Sequence, residues 1–176
     1  MYPFLRMFKE LARARRMPTL GLFDTHVSHH ICWPWDLDPW IELNNGRTLT
    51  LFDLGRLPLG LRTGIHKHLI AKGWGLTVAG SSVRYRKRVT MFSRLTVHSR
   101  CLGWDARFLY TEQSMWKGEE CTSHVLIRSA IVSKAGIVPP AELAKAAGVP
   151  SESPDLPDWV KAWIAADNSR PWPPGR

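Results

Sequence analysis

Residues 36–56 read "DLDPWIELNNGRTLTLFDLGR", and this stretch decides how the chain divides. Pro34 and Pro39 keep the approach irregular. Asn44 or Asn45 is a natural N-cap, because an asparagine oxygen accepts the first unpaired amides of a helix. From there the pattern turns helical, with Leu49 and Phe52 on one buried stripe. Three carboxylates, Asp36, Asp38 and Glu42, crowd the approach to that helix start. The first helical amides lack internal partners, and the helix dipole is positive there. A carboxylate beside such amides can attack an acyl carbon or activate water, while the amides hold the developing oxyanion. Turn and cap chemistry also favours Asp and Asn in such a loop, so the residue types alone leave both readings open.

Upstream, "DTHVSHHICW" at 24–33 reads as a strand with Val27 and Ile31 on one face. Downstream, Pro58 is expected to interrupt or restart the helix. A second helical piece through Ile65, Leu69 and Ile70 stops at Gly73. The rest is β-like: 74–89, then "SRLTVHSRCL" with Leu95, Val97, Ser99 and Cys101 alternating. A turn is expected at Gly103-Trp104-Asp105, followed by "ARFLYTEQSMW" and a turn at Lys117-Gly118-Glu119. "CTSHVLIRSAIV" carries Val125, Ile127, Ser129 and Ile131 on one face. Reverse turns imply antiparallel neighbours. After Pro139-Pro140, "AELAKAAG" reads as a short helix ending at Gly148, "VPSESPDLP" as a linker, and "DWVKAWIAA" as a last helix.

This order predicts an α+β fold, a long central helix wrapped by a curved antiparallel sheet, with helical extensions at both ends. The units are a basic amphipathic helix (1–20), the helix-and-sheet domain (21–138) and a C-terminal extension (139–176). The outer sheet face or edge is expected to be covered by a second subunit. In "MYPFLRMFKELARARRM", Phe4, Leu5, Phe8, Leu11 and Ala12 recur at helical spacing among Arg6, Lys9, Arg13, Arg15 and Arg16. Such a helix docks on its own domain or lies on an anionic membrane, so residues 1–16 are a candidate peripheral membrane contact.

The chain has 176 residues and a formal charge of +9. A basic surface attracts polyanions. No helix-turn-helix, zinc-finger or RNP-type signature is present, so no nucleic-acid partner is expected. Anionic lipid and phosphate-bearing small molecules remain. Cys32, Cys101 and Cys121 are scattered and odd in number, which fits a reducing, cytoplasmic location rather than a disulfide framework. The histidines suggest no metal: His26 and His30 alternate with His29 along a strand, and His66 and His68 are two apart on a helix. No G-x-S-x-G supports a serine hydrolase.

The opening stretch resembles the signature of the hotdog-fold thioesterases, D-x-D-x-x-G-H-x-N-N-x-x-Y-L followed by an acidic residue and an arginine. Asp36, Asp38, Asn44, Asn45, Leu49, Asp53 and Arg56 occupy matching positions. "LGWDARFLYTEQSMW" at 102–116 is similar to later strands of the 4-hydroxybenzoyl-CoA thioesterase-like proteins and the subgroup of thioesterase superfamily member six. The resemblance spans roughly residues 22–148. It implies a hotdog fold, a homodimer or dimer of dimers, and hydrolysis of an acyl-CoA or acyl-carrier thioester, with no cofactor beyond the CoA substrate. It maps the catalytic carboxylate onto Asp38 and the oxyanion site onto the helix start at Asn44, Asn45, Gly46 and Arg47. CoA phosphates are assigned to Arg84, Arg86, Lys87 and Arg88, and the acyl pocket to Trp40 and Thr48. The usual Gly-His pair is Ile41-Glu42 here, and the usual Tyr is Thr48. Glu42 then stands as a second catalytic candidate, and the same change makes a non-hydrolytic acyl binder the alternative. Ile41 is not expected to take a positive φ readily.

Overall fold

Asn44 begins the long helix. Its side chain accepts hydrogen bonds from the Gly46 and Arg47 amides at 2.8 and 3.2 Å, and the helix α2 runs from there as Asn45–Arg62. The computed structural model describes residues 2–175. The preceding elements are α1 (Phe4–Ala14), β1 (His26–Ile31) and a 3₁₀ turn (Pro34–Asp36). Then come α3 (Ile65–Lys72), β2 (Gly75–Tyr85), β3 (Arg94–Trp104), β4 (Phe108–Lys117) and β5 (Glu120–Ser133). β6 (Gly136–Val138), α4 (Pro140–Ala146) and α5 (Asp158–Asn168) close the chain. The antiparallel sheet has the order β1-β3-β4-β5-β2, with β6 paired to β5. Wrapped about α2, it forms the hotdog arrangement.

The inner face of the sheet holds α2. Leu51, Phe52 and Leu54 of the helix pack with Leu95 and Val97 of β3, Met115 of β4, and Val125 and Ile127 of β5. Each such side chain contributes about 1.5–3 kcal/mol when fully buried. That explains why Pro58 does not interrupt α2 as expected. A proline inside a helix costs about 3 kcal/mol, and the buried stripe, which includes Pro58 and Leu59, outweighs it. Gly55 lets the helix approach closely: a Cβ there would lie 2.8 Å from Ser99 Oγ and 3.0 Å from Val97 Cγ1.

The face of β1 is the reverse of the one expected. His26, Ser28 and His30 are buried, while Ile31 is exposed. Ser28 is one of the small groups facing Gly55, and the histidines find partners inside: His26 with Arg62 of α2, and His30 with Ser28 Oγ. Close helix approach selected small or hydrogen-bonded groups here rather than large apolar ones.

The inward faces of β3 and β5 are as read, with Leu95, Val97, Ser99, Cys101, Val125, Ile127, Ser129 and Ile131 all buried, but Leu126 and Ala130 on the other face of β5 are buried as well. The β3–β4 turn lies later than expected. Gly103 and Trp104 belong to β3, and Asp105 makes the turn by accepting from the Arg107 and Phe108 amides, both at 2.7 Å. The expected linker is docked: Ser153 Oγ accepts from the Trp104 amide at 2.8 Å. α5 lays Val160 and Trp163 over Tyr110, Leu126 and Phe108, so part of the outer sheet face is covered by the chain itself. α1 packs on α2, and Arg6 reaches Asp36 at 2.8 Å.

Candidate active site

The loop between β1 and α2 is a small hairpin. Leu37 bridges Leu43, the Asp38 amide donates to Glu42 O at 2.8 Å, and the Ile41 amide donates to Asp38 O at 3.0 Å. The tip needs one residue in the left-handed region, and that residue is Ile41 at φ 61°. A β-branched residue is strained there, by about 1–3 kcal/mol. The expectation that Ile41 would resist a positive φ is therefore overturned: the hairpin's hydrogen bonds impose the conformation that glycine adopts without strain.

Each acid in the loop has its own partners. Asp36 is 2% exposed and accepts from Arg6 and from the Trp33 amide, with Arg47 Nε at 3.6 Å, so it ties α1, the 3₁₀ turn and α2 together. Asp38 is half-buried; its Oδ1 accepts from the Trp40 amide at 2.9 Å and the Glu42 amide at 3.3 Å. Among the described residues its Oδ2 has no hydrogen-bond donor. Glu42 pairs with Arg88 at 3.0 Å. No hydrogen bond joins the Asp38 carboxylate to the Glu42 carboxylate among the described residues, so the two acids do not make a proton-sharing pair. Asp53 is paired with Arg56 one turn along α2.

The helix-start amides differ in availability. Gly46 and Arg47 donate to the Asn44 cap, whereas the Asn45 amide has no acceptor among the described residues. Asn45 lines a cleft of about 70 Å³ with Glu42, Thr48, Tyr85, Lys87 and Arg88. Five residues singled out in the sequence thus meet in one place. Tyr85 and Ser123, also on its wall, were not read from sequence. Tyr85 donates its hydroxyl to Asn45 O at 3.3 Å. Its signal lay within "VRYRKR", where alternation with Val83 and Lys87 was masked by the charge run. Arg84 and Arg86 are exposed and outside the cleft, and Trp40 is 78% exposed at the hairpin tip. Thr48 is buried, with its hydroxyl donating to Asn44 O at 3.2 Å.

His26, His30, Cys32 and Cys101 are buried in the packing. Burial, with Arg62 nearby, lowers the His26 pKa to about 4; burial, with Arg6 nearby, lowers His30 to about 3. Burial pushes the Cys32 thiol up to about 11 and the Cys101 thiol up to about 12, so both stay protonated. All three cysteines are free. Among the described residues no group of three or more His, Cys, Asp or Glu could hold a metal ion, and no helix is long and apolar enough to cross a membrane.

Comparison with known proteins identifies the family and the fold. A family profile described as the thioesterase-like superfamily matches residues 32–164. Protein THEM6 of Xenopus laevis is 27% identical over 169 residues, covering 94% of this chain and 80% of that protein. Protein THEM6 of Drosophila melanogaster is 27% identical over 146 residues, covering 81% and 74%. Among solved structures, the probable thioesterase YbaW from Escherichia coli superposes with a TM-score of 0.64 at 17% identity, covering 69% of this chain and 95% of that one. A 1,4-dihydroxy-2-naphthoyl-CoA thioesterase from Synechocystis gives 0.59 at 12% identity, covering 70% and 95%. These structural likenesses concern the fold.

Proposed function

From the chain's membership of the thioesterase-like superfamily, we propose that it hydrolyses the thioester of an acyl-CoA or acyl-carrier substrate. Asp38 is the nucleophile or general base, and the start of α2 is the oxyanion site. One observation carries the assignment. The Asp38 carboxylate is fixed through Oδ1 by two amides, its Oδ2 is unclaimed, and it stands on the hairpin that leads into the open Asn45 amide. As general base, Oδ2 takes a proton from water while the water oxygen attacks the acyl carbon. The carbonyl oxygen gains charge facing the helix start, and the thiolate of the carrier leaves. A carboxylate in that role contributes about 100- to 10,000-fold.

Lys87 and Arg88, with the exposed Arg84 and Arg86, form the basic strip proposed for CoA phosphates. The edge of β2 supports the proposed homodimer or dimer of dimers. Among the described residues, ten of its eleven residues pair with β5 and none with another strand, and most are exposed. The cleft lies where that strand ends, so a second subunit on this edge would enlarge its walls. Three free thiols are in keeping with a reducing, cytoplasmic setting.

A second reading is a hotdog protein that binds an acyl thioester or fatty acid without turnover. It is favoured by the Glu42–Arg88 ion pair, which occupies the place where relatives keep a histidine. A panel of acyl-CoAs, assayed with the wild type, Asp38→Asn and Glu42→Gln, separates the two. Hydrolysis by the wild type, lost by about 100-fold or more in Asp38→Asn at unchanged melting temperature, is expected. Full activity in Asp38→Asn sinks the assignment, and binding without turnover of any acyl-CoA supports the second reading.

A further inference from the structure

α1 has two faces with different destinations. Arg6, Met7, Glu10, Leu11 and Ala14 turn toward the domain, with Met7 against the main core and Arg6 on Asp36. The opposite side exposes Phe4 (55%), Leu5 (87%) and Phe8 (61%). An apolar ridge this open has no fold-stabilising task. The same side carries exposed Lys9, Arg13, Arg15 and Arg16.

Beside the ridge, between α1 and the β1–β3 edge, lies a cavity of about 390 Å³. Lys9 and Arg13 line it from the helix, Arg94 and Thr96 from β3, and Trp33 from the segment after β1. Arg6 also reaches it but is engaged by Asp36 and by Ile31 O. Among the described residues Lys9, Arg13 and Arg94 have no carboxylate partner. Glu10 is the one acid in the lining; it is buried, and burial raises its pKa while Lys9 and Arg13 pull it back, so one acid faces several cations. His29 stands at the rim, bonded to Thr96 at 3.3 Å. Trp33 continues the apolar surface outward: Trp35 stacks on it with rings 5.4 Å apart, Phe92 meets it edge-on, and both are more than half exposed.

We infer that α1 and the adjoining β1–β3 edge dock this protein on an anionic lipid bilayer. Phe4, Leu5 and Phe8 enter the headgroup–acyl boundary, and the phosphate of an anionic lipid sits among Lys9, Arg13 and Arg94. Charge complementarity selects the occupant's sign. The form of the apolar surface selects a bilayer over an acidic protein. Leu5 and Phe8 protrude from a ridge rather than line a groove, and flanking Trp and Phe side chains suit the interfacial layer. The docked orientation bears on the candidate active site through Arg6, which joins α1 to Asp36 two residues before Asp38. The inference stands whether or not the site hydrolyses thioesters.

Co-sedimentation of the full chain tests it, with phosphatidylcholine vesicles and with vesicles that also contain phosphatidylglycerol. Binding is expected only to the second kind, weakening as salt is raised. Replacing Lys9, Arg13 and Arg94 together by Gln should weaken partition about 100-fold, at roughly fivefold per lost cation. Leu5→Ser with Phe8→Ser should abolish binding while leaving circular dichroism and melting temperature unchanged, since both positions are exposed. Unchanged vesicle binding in either variant overturns the inference, as does equal binding to phosphatidylcholine alone. Capture of a soluble acidic polypeptide without vesicle binding overturns it as well, and assigns the cations to a protein partner.

Discussion

β1 and the loop that follows it are both rich in polar side chains, are separated by only a few residues, and treat charge in opposite ways. In β1, His26 and His30 are buried without a carboxylate partner, and burial holds both neutral in the physiological range. In the loop, Asp38 and Glu42 are half-buried and are supplied with amides or a cation. Asp36 is the telling intermediate: it is as buried as His26, yet Arg6, Arg47 and the Trp33 amide surround it with donors. Burial alone thus does not separate structural from reactive polar groups here. What separates them is whether the fold supplies counter-charge and leaves an oxygen unclaimed. β1 does neither, and its polar groups pack against α2. The loop gives Asp38 two amides and leaves its Oδ2 unclaimed.

Acid should expose this difference most strongly. The His26 and His30 pKa values are about 4 and about 3 when folded, against the ordinary histidine value of 6.5. Below about pH 6.5 the unfolded chain binds protons that the folded chain refuses. Their contribution is therefore intact above that pH and is lost as pH falls toward the folded values, at about 1.4 kcal/mol per pH unit for each histidine. Urea unfolding measured from pH 7 to pH 4.5 should show a steep decline, and His30→Gln should reduce its slope by about half. A slope unaltered by His30→Gln would mean that the acids of the loop, not the histidines of β1, govern acid stability.

Gly55 sharpens the same contrast from the helix side. An added Cβ meets Ser99 Oγ, Val97 and Ser28 Oγ, and Ser99 is itself fixed by a 2.7 Å hydrogen bond from Gln113. Gly55→Ala gains helix propensity of up to about 1 kcal/mol but overpacks the seat of α2 on β3 and β1, which typically costs about 1–3 kcal/mol. A net destabilisation of roughly 1 kcal/mol is expected by chemical denaturation. A more stable variant would show that β1 can withdraw, and that its small inward residues are not there for close approach.

What the sequence disclosed follows the same line. The Asn44 cap and the inward faces of β3 and β5 were legible because each is decided locally or by apolar residues facing an apolar helix. The face of β1 was not, because its inward positions are chosen by the distance to Gly55 and by Arg62, which is 36 residues from His26. Pro58 misled for a related reason: its local cost is certain, but the burial that overrides it is tertiary. At the candidate site, Glu42, Asn45, Thr48, Lys87 and Arg88, which share the cleft, and Asp38, on the hairpin outside its lining, could be named as candidates from the motif and the charge run. Tyr85 could not, since only the β2–β5 register brings Val83, Tyr85 and Ser123 to the helix start.

Ile41 offers the smallest and most specific test. It holds φ 61° at the hairpin tip and is 68% exposed, so its side chain contributes little burial in return for the strain. Ile41→Gly removes about 1–3 kcal/mol of backbone strain and adds back roughly 0.5–1 kcal/mol of unfolded-state entropy. A modest net stabilisation, on the order of 1 kcal/mol, is expected as a higher denaturation midpoint at constant m-value. The amides of Trp40 and Glu42 that fix Asp38 belong to the same turn. If the strain is what aims the carboxylate, the stabilised variant should lose turnover; if the hydrogen bonds alone aim it, turnover should hold. A destabilised Ile41→Gly would refute the strain itself and leave the hairpin's own bonds as the whole account of how the loop presents Asp38.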